Sequence, residues 1–142
     1  MARRLTLISL LLALGALSGC GETPEGQAEQ TVKDWISAFN ERDPRLCTEV
    51  YSPVFLKRSV GSDSTGSEKR CVRSLKEFGP PSALKVTFKF FESTKVDGDK
   101  VTSVVAVEAN ETPQEITFTL SESDGAYRID AITGGIVSPK GA

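Results

Sequence analysis

The cysteines are the residues of this 142-residue chain with the clearest chemical options, because the chain has three of them and no histidine. Histidine is the usual general base near neutral pH and the commonest metal ligand, so its absence argues against hydrolases that pair serine or cysteine with histidine. It also argues against zinc sites of mixed cysteine and histidine. We therefore predict a protein that is not an enzyme and that has no catalytic residue, cofactor or metal site. The thiols of Cys20, Cys47 and Cys71 can instead be acylated, be oxidised to a disulfide or stay free.

Cys20 follows a segment that has the parts of an export signal. Arg3 and Arg4 are followed by an apolar run over residues 5–17 and then by the small residues Ser18 and Gly19. The run is shorter than the roughly 18 to 20 apolar residues of a membrane-spanning helix. The segment Leu17-Ser18-Gly19-Cys20 resembles the lipobox of bacterial lipoproteins. An ordinary signal peptide, with Cys20 left as a free thiol, is the alternative.

The lipobox resemblance implies cleavage before Cys20 and a lipid on its thiol. The predicted organisation is then a signal peptide over 1–19, a lipid-attached tether over 20–26, a domain over 27–137 and a tail over 138–142. The lipid would hold the domain on the outer face of the cytoplasmic membrane, or in an outer membrane if the cell has one.

With Cys20 assigned to the lipid, Cys47 and Cys71 remain as a pair in an oxidising compartment. We predict a Cys47–Cys71 disulfide, which would stabilise the fold by roughly 3 kcal/mol in the chain-entropy model. Two buried free thiols are the alternative. The spacing is not the C-x-x-C of a redox-active pair.

Net charge limits the partners. Without residues 1–19 the chain has 15 basic and 19 acidic residues, a net charge of −4. An acidic domain has no electrostatic reason to bind nucleic acid, so we predict none as a partner. Although the domain is acidic overall, one stretch of it is rich in basic residues. This basic cluster consists of Lys57, Arg58, Lys69, Arg70, Arg73 and Lys76. It either contacts anionic lipid headgroups or, as we favour from sequence alone, forms a solvated helix face.

The first half of the domain has helical periodicity. Apolar residues from Ala28 to Phe39 recur on one helix face, with Thr23-Pro24 as a start signal. Asp43-Pro44 is expected to open a second, shorter helix, and a third is expected over 68–78. Cys47 and Cys71 both fall on apolar faces of these shorter helices.

The second half changes to the alternation typical of strands. Four strands are predicted, near 84–90, 100–109, 114–122 and 126–132, with tight hairpins at Asp97-Gly98 and Asp124-Gly125. A looser turn is expected over 110–113. In the first strand, one face is predicted to carry Leu84, Val86, Phe88 and Phe90. In the last strand, the side chains predicted to point inward are Tyr127, Ile129 and Ala131, and those predicted to point outward are Arg128 and Asp130. Helices followed by an antiparallel meander indicate an α+β fold, with the helices packed on a curved four-stranded sheet.

This order of elements resembles the nuclear transport factor 2-like superfamily, also called the polyketide-cyclase-like or cystatin-like cone. The resemblance covers about residues 26–137, and its three pieces are 32–43, 47–55 and 124–130. Enzymes of the superfamily place acid–base residues inside the cone, and we find no complete counterpart here. The fold alone implies no activity.

The predicted function is therefore a membrane-anchored, non-catalytic binding or interaction domain of the cell envelope. Its partners would be the membrane, through the lipid on Cys20, and either an envelope protein or a second copy of the chain. The alternative is a carrier of, or an isomerase-like or cyclase-like enzyme for, a small apolar molecule held inside the cone. The residues that would line such a pocket are Trp35, Phe39, Phe88, Phe90 and Phe118.

Overall fold

A computed structural model describes residues 22–61 and 66–134. The predicted lipid attachment at Cys20, the signal peptide and the tail lie outside these residues. The helical elements are α1 (Pro24–Glu41), a π turn (Leu46–Val50), α2 (Pro53–Val60) and α3 (Ser67–Glu77). The strands are β1 (Val86–Asp97), β2 (Lys100–Ala109), β3 (Thr112–Ser123) and β4 (Ala126–Gly134).

Helix α1 begins where its sequence signals predict. The Thr23 hydroxyl accepts a hydrogen bond from the Gly26 amide at 3.1 Å, and Pro24 occupies the first helical position, where its missing N–H costs nothing. Residues 24–26, expected in the tether, are thus the first turn of the helix. The helix ends at Arg42, which adopts a left-handed conformation with φ of 56°.

The strands form one antiparallel sheet in the order β1-β2-β3-β4, so the predicted α+β architecture is confirmed. All three connections are two-residue turns. Gly98 and the pair Asp124-Gly125 supply the positive φ values that such turns need. The looser turn predicted over 110–113 is wrong: Asn110 and Glu111 alone form it, with φ of 47° and 69°.

Side-chain hydrogen bonds explain how Asn110 holds this tight turn. Its Oδ1 accepts from the Lys85 amide at 2.9 Å, and its Nδ2 donates to the Ala83 carbonyl at 3.1 Å. Asparagine also tolerates the left-handed region better than most residues. The turn is thereby fastened to the segment that leads into β1.

Register shifts in β1 overturn one predicted alternation. The pairing with β2 slips between Phe88 and Phe90 and again between Phe91 and Ser93. Each slip adds a residue to β1 and reverses the side-chain alternation beyond it. Phe91 therefore packs against the core, and Phe90, predicted to share the face of Phe88, is 57% exposed.

A similar irregularity lies in β4. Thr119 pairs with Ala131 and the adjacent Leu120 pairs with Ile129, which leaves Asp130 as an extra residue. Beyond it the alternation reverses, so Ile132 packs against the core in place of Ala131, which was predicted to point inward. Tyr127 and Ile129 are buried as predicted.

The core lies between α1 and the concave face of the sheet. Trp35 stacks on Phe39 with ring centroids 5.0 Å apart, and its edge meets Phe118 at 5.1 Å. The fully buried side chains around them are Val32, Leu46, Cys47, Val86, Val101, Val105, Val107, Ile116, Leu120 and Ile129.

The chain between α1 and the sheet is folded differently from the prediction in one place. No regular α-helix opens at Asp43-Pro44. The Asp43 carboxylate instead accepts hydrogen bonds from the Arg45 amide and guanidinium, and the chain then enters the π turn. Helix α2 has its own cap, because the Ser52 hydroxyl accepts from the Phe55 amide at 3.1 Å. Helix α3 lies within one residue of its predicted bounds.

Candidate functional site

The predicted Cys47–Cys71 disulfide is present and joins the π turn to α3. The two Cα atoms are 5.8 Å apart, and both cysteines are buried. Each lies on the apolar side of its element, as the sequence predicts. The crosslink holds α3 against the π turn, which itself packs on α1 and β4.

Beside the disulfide, Tyr51 connects this end of the cone to the core. Its hydroxyl accepts a hydrogen bond from the Trp35 indole at 2.9 Å, and its ring stacks on Phe55 with centroids 4.1 Å apart. Burial raises the pKa of Tyr51 to about 12, although the bond from Trp35 acts in the opposite direction. Tyr51 therefore stays neutral at physiological pH.

The backbone next to Tyr51 is anchored to the sheet as well. The Ser52 amide donates to the Ile129 carbonyl at 2.9 Å, and Tyr51 forms a parallel bridge with Ile129. The start of α2 is thus fixed to the free edge of β4. This seal closes the mouth of the cone over Trp35.

The aromatic residues predicted to line a pocket are mainly core residues. Trp35, Phe39 and Phe118 are buried and pack on one another. Phe88 is half-buried, lies 5.0 Å from the ring of Phe91 and has the ammonium of Lys33 above it. Phe90 lies outside on the convex face of the sheet, because of the register shift in β1.

One surface cavity of about 500 Å³ adjoins the disulfide. Its wall combines buried and charged groups, and its residues are Cys47, Tyr51, Pro53, Leu56, Lys57, Ser67, Glu68 and Arg128. The first residues of α2 and of α3 both border it, so the positive ends of two helix dipoles meet there. Arg128 is held in place by a 3.4 Å hydrogen bond from its guanidinium to the Thr48 carbonyl.

A second cavity of about 360 Å³ runs between α1, the π turn and the start of β4. Its polar residues include Asp34, Arg45 and Glu49. Two of these groups are already engaged: the Gln30 amide donates to Asp34 at 2.9 Å, and Arg45 forms a 2.7 Å ion pair with Asp43. Hydrogen bonds from the backbone and side chain of Arg45 lower the pKa of Asp43. Part of the charge in this groove is therefore already paired within the protein.

Two carboxylate features were not expected from the sequence. Asp130, predicted to face solvent, has a buried Oδ1 with no hydrogen-bond partner among the described residues. Its position as the extra residue in β4 is the cause, because the irregularity turns its side chain out of the regular alternation. On the convex face, a hydrogen bond with Glu115 raises the pKa of Glu92.

Within residues 22–61 and 66–134, no group of three or more potential ligand side chains has the geometry to hold a metal ion. None of the helices in these ranges combines the length and the apolar content needed to cross a bilayer.

Comparison with one solved structure supports the architecture. The chain is similar to an uncharacterised protein with a cystatin-like fold from Caulobacter vibrioides, with a TM-score of 0.58 and 15% identity over 80% of this chain and 89% of that one. A de novo designed protein with a curved β-sheet matches with a TM-score of 0.45 and 18% identity, over 74% of this chain and 95% of that one. Protein-family models and curated proteins give no match.

The fold class is therefore an α+β cone of the cystatin-like type, with helices packed against a curved four-stranded antiparallel sheet. The likeness at 15% identity concerns the fold. Function has to be argued from the chain's own residues.

Proposed function

We propose that this chain is an extracytoplasmic lipoprotein, anchored by lipid on Cys20, whose cone is a non-catalytic binding domain of the nuclear transport factor 2-like superfamily. The anchor would place it on the outer face of the cytoplasmic membrane, or in an outer membrane. The main support for a binding role is that side chains fill the interior of the cone.

The interior supports a binding role because side chains occupy the space that a substrate would need. Trp35 and Phe118 meet at its centre, and Tyr51 seals its mouth. The two cavities described above are open to the surface, and both have charged groups in their walls. Recognition would therefore take place on the outside of the domain. The alternative of a carrier or isomerase-like enzyme requires an apolar volume in the region that these rings fill.

The disulfide supports an exported location. Structural disulfides persist in oxidising compartments and are rare in the cytosol. Cys47 and Cys71 form one within the core, which leaves Cys20 as the remaining cysteine of the chain. This division matches a protein in which the first mature residue is acylated.

The convex face of the sheet is the surface that we propose for an envelope protein or a second copy of the chain. No described element covers it, and Phe90 projects from it at 57% exposure. An ion pair between Lys89 and Glu108, 2.8 Å long, lies beside Phe90. An aromatic residue within a polar surround is typical of an interface of modest size.

Labelling with radioactive palmitate in the native host tests the anchor. The wild-type chain should incorporate the label, and Cys20→Ala should not. The matched control is the Cys47→Ala/Cys71→Ala variant, which removes the other two thiols and should be labelled like the wild type. Equal labelling of the Cys20→Ala variant, or no labelling of the wild type, would refute the anchor.

A further inference from the structure

Charge is distributed very unevenly along this chain. Residues 57–76 contain six basic and two acidic residues, a net charge of +4. The rest of the chain from Cys20 onward contains nine basic and 17 acidic residues, a net charge of −8. Such an asymmetry in one small domain indicates a surface that selects for anions.

The fold gathers the six basic residues on α2 and α3, which pack side by side, and we call this surface the basic face. It consists of Lys57, Arg58, Lys69, Arg70, Arg73 and Lys76, all of them exposed. In α3 the basic side chains lie opposite Ser67, Cys71 and Leu75, the residues that α3 buries. The ion pairs between described residues, Arg45 with Asp43 and Lys89 with Glu108, involve no member of the basic face.

Two further features of this surface suit a membrane. Val54 is 53% exposed and precedes Lys57 and Arg58 by three and four positions, so all three lie on one side of α2. An apolar side chain flanked by basic ones is the pattern of helices that lie at a lipid surface. The 500 Å³ cavity opens beside Lys57 and Arg128, with Glu68 as its acidic member.

We propose that the basic face binds the anionic phospholipid headgroups of the membrane to which the chain is anchored, an inference that rests on the proposed anchor. Three residues, 21–23, separate Cys20 from the first residue of α1. Even fully extended they span only about 10 Å, close to the Debye length of about 8 Å at physiological ionic strength. The start of α1 is therefore held near the bilayer surface, and the domain can turn one of its faces into the electrostatic field of that surface.

In that field the two parts of the domain experience opposite forces. The headgroup phosphates repel the region with a net charge of −8 and attract the basic face, where arginine and lysine can donate hydrogen bonds to phosphate oxygens. The lipid on Cys20 would fix the distance, and the basic face would fix the orientation. The convex face of the sheet would then remain available for a protein partner.

Vesicle binding by residues 21–142 tests the basic face without the lipid. This polypeptide contains every described element, the core and the disulfide. It should bind vesicles that contain phosphatidylglycerol, should ignore vesicles of phosphatidylcholine alone, and should be released by salt. Lys69→Glu/Arg73→Glu should weaken partitioning of the polypeptide onto these anionic vesicles at least about tenfold, because each basic residue near an anionic membrane surface adds to the binding free energy.

The matched control is Lys95→Glu/Lys100→Glu, which changes net charge by the same amount at exposed positions of the β1–β2 hairpin. It should retain most of the binding. Circular dichroism of both variants should match the wild type.

An equal loss in both variants would show that only net charge matters and would overturn the basic face. Absence of a preference for anionic vesicles would overturn it too. Release by millimolar inorganic phosphate but not by chloride of equal ionic strength, or tighter binding to polyglutamate than to vesicles, would overturn its assignment to the membrane. Vesicle binding alongside failed palmitate labelling would refute the anchor and still support the basic face.

Discussion

The body formed by α1 and the sheet, and the segment formed by the π turn, α2 and α3, are stabilised by different means. The body buries a continuous apolar core around Trp35 and Phe118. In contrast, α2 buries Leu56 alone among its residues, and α3 buries Ser67, Cys71 and Leu75. Helices of this length are marginal in water without tertiary contacts. The body is therefore stabilised by burial throughout. Within the segment the π turn buries most of its side chains, namely Leu46, Cys47 and Val50, and α2 and α3 rely on the Ser52 cap and the crosslink.

The two regions meet at a small joint. Tyr51 accepts a hydrogen bond from Trp35, and Ser52 donates its backbone amide to Ile129. These two hydrogen bonds hold the segment against the core and against the edge of β4. The body, the crosslink and the joint can each be disturbed by a separate substitution.

The largest loss is expected in the body. Phe118→Ala removes a fully buried ring and should lower the free energy of unfolding by about 3 to 5 kcal/mol. The matched control is Phe90→Ala, which should cost less than about 1 kcal/mol because that ring is 57% exposed. Urea denaturation followed by circular dichroism gives both values. Equal losses would contradict the register shift in β1.

The next loss is expected in the segment. Cys47→Ala/Cys71→Ala opens a loop with a sequence separation of 24 and should cost about 3 kcal/mol. The crosslink acts on α3. In the variant, the amide protons of α3 should therefore lose more protection from hydrogen exchange than those of β2 and β3. Hydrogen exchange followed by NMR separates the two regions. Uniform loss of protection would mean that body and segment unfold as one unit.

The smallest effect is expected at the joint and depends on pH. Tyrosine has a pKa of 10.0 when solvated, whereas Tyr51 has a pKa of about 12 in the fold. Below pH 10 both states are protonated, and the contribution of Tyr51 is fully present. Between pH 10 and 12 only the unfolded state ionises, so the fold should lose about 2 to 3 kcal/mol.

Urea denaturation repeated from pH 8 to 12 measures this alkaline loss. In Tyr51→Phe the Tyr51 part of the loss should disappear. The same variant should be less stable near pH 7 by about 1 to 3 kcal/mol, because it leaves the Trp35 indole N–H buried without an acceptor. An unchanged alkaline slope would show that Tyr51 is accessible to water.

Local signals in the sequence were sufficient for much of the fold. Thr23-Pro24 marked the start of α1, and the richness in valine and threonine from about Lys100 to Ala109 predicted β2, which has these bounds. The disulfide followed from the number of cysteines and the expected compartment. Each of these inferences depends on neighbours along the chain or on composition, which a sequence displays directly.

The errors came from single-residue irregularities. The directions predicted for Phe90 and Ala131 are wrong because an extra residue in β1 and in β4 reverses the alternation beyond it. The turn at Asn110 was misjudged because its tightness depends on hydrogen bonds to Ala83 and Lys85, residues 27 and 25 positions away. Hydrophobic periodicity contains no information about such distant partners.

The order of helices and strands, the charge asymmetry and the Cys47–Cys71 pair can be inferred from the sequence, because they follow from local periodicity and composition. Tertiary structure alone decided that aromatic rings fill the cone, that Tyr51 seals it and that the basic residues of two helices form one face. Each of those results requires side chains from separate elements to compete for the same space, and the packing of α1, the segment and the sheet resolves that competition.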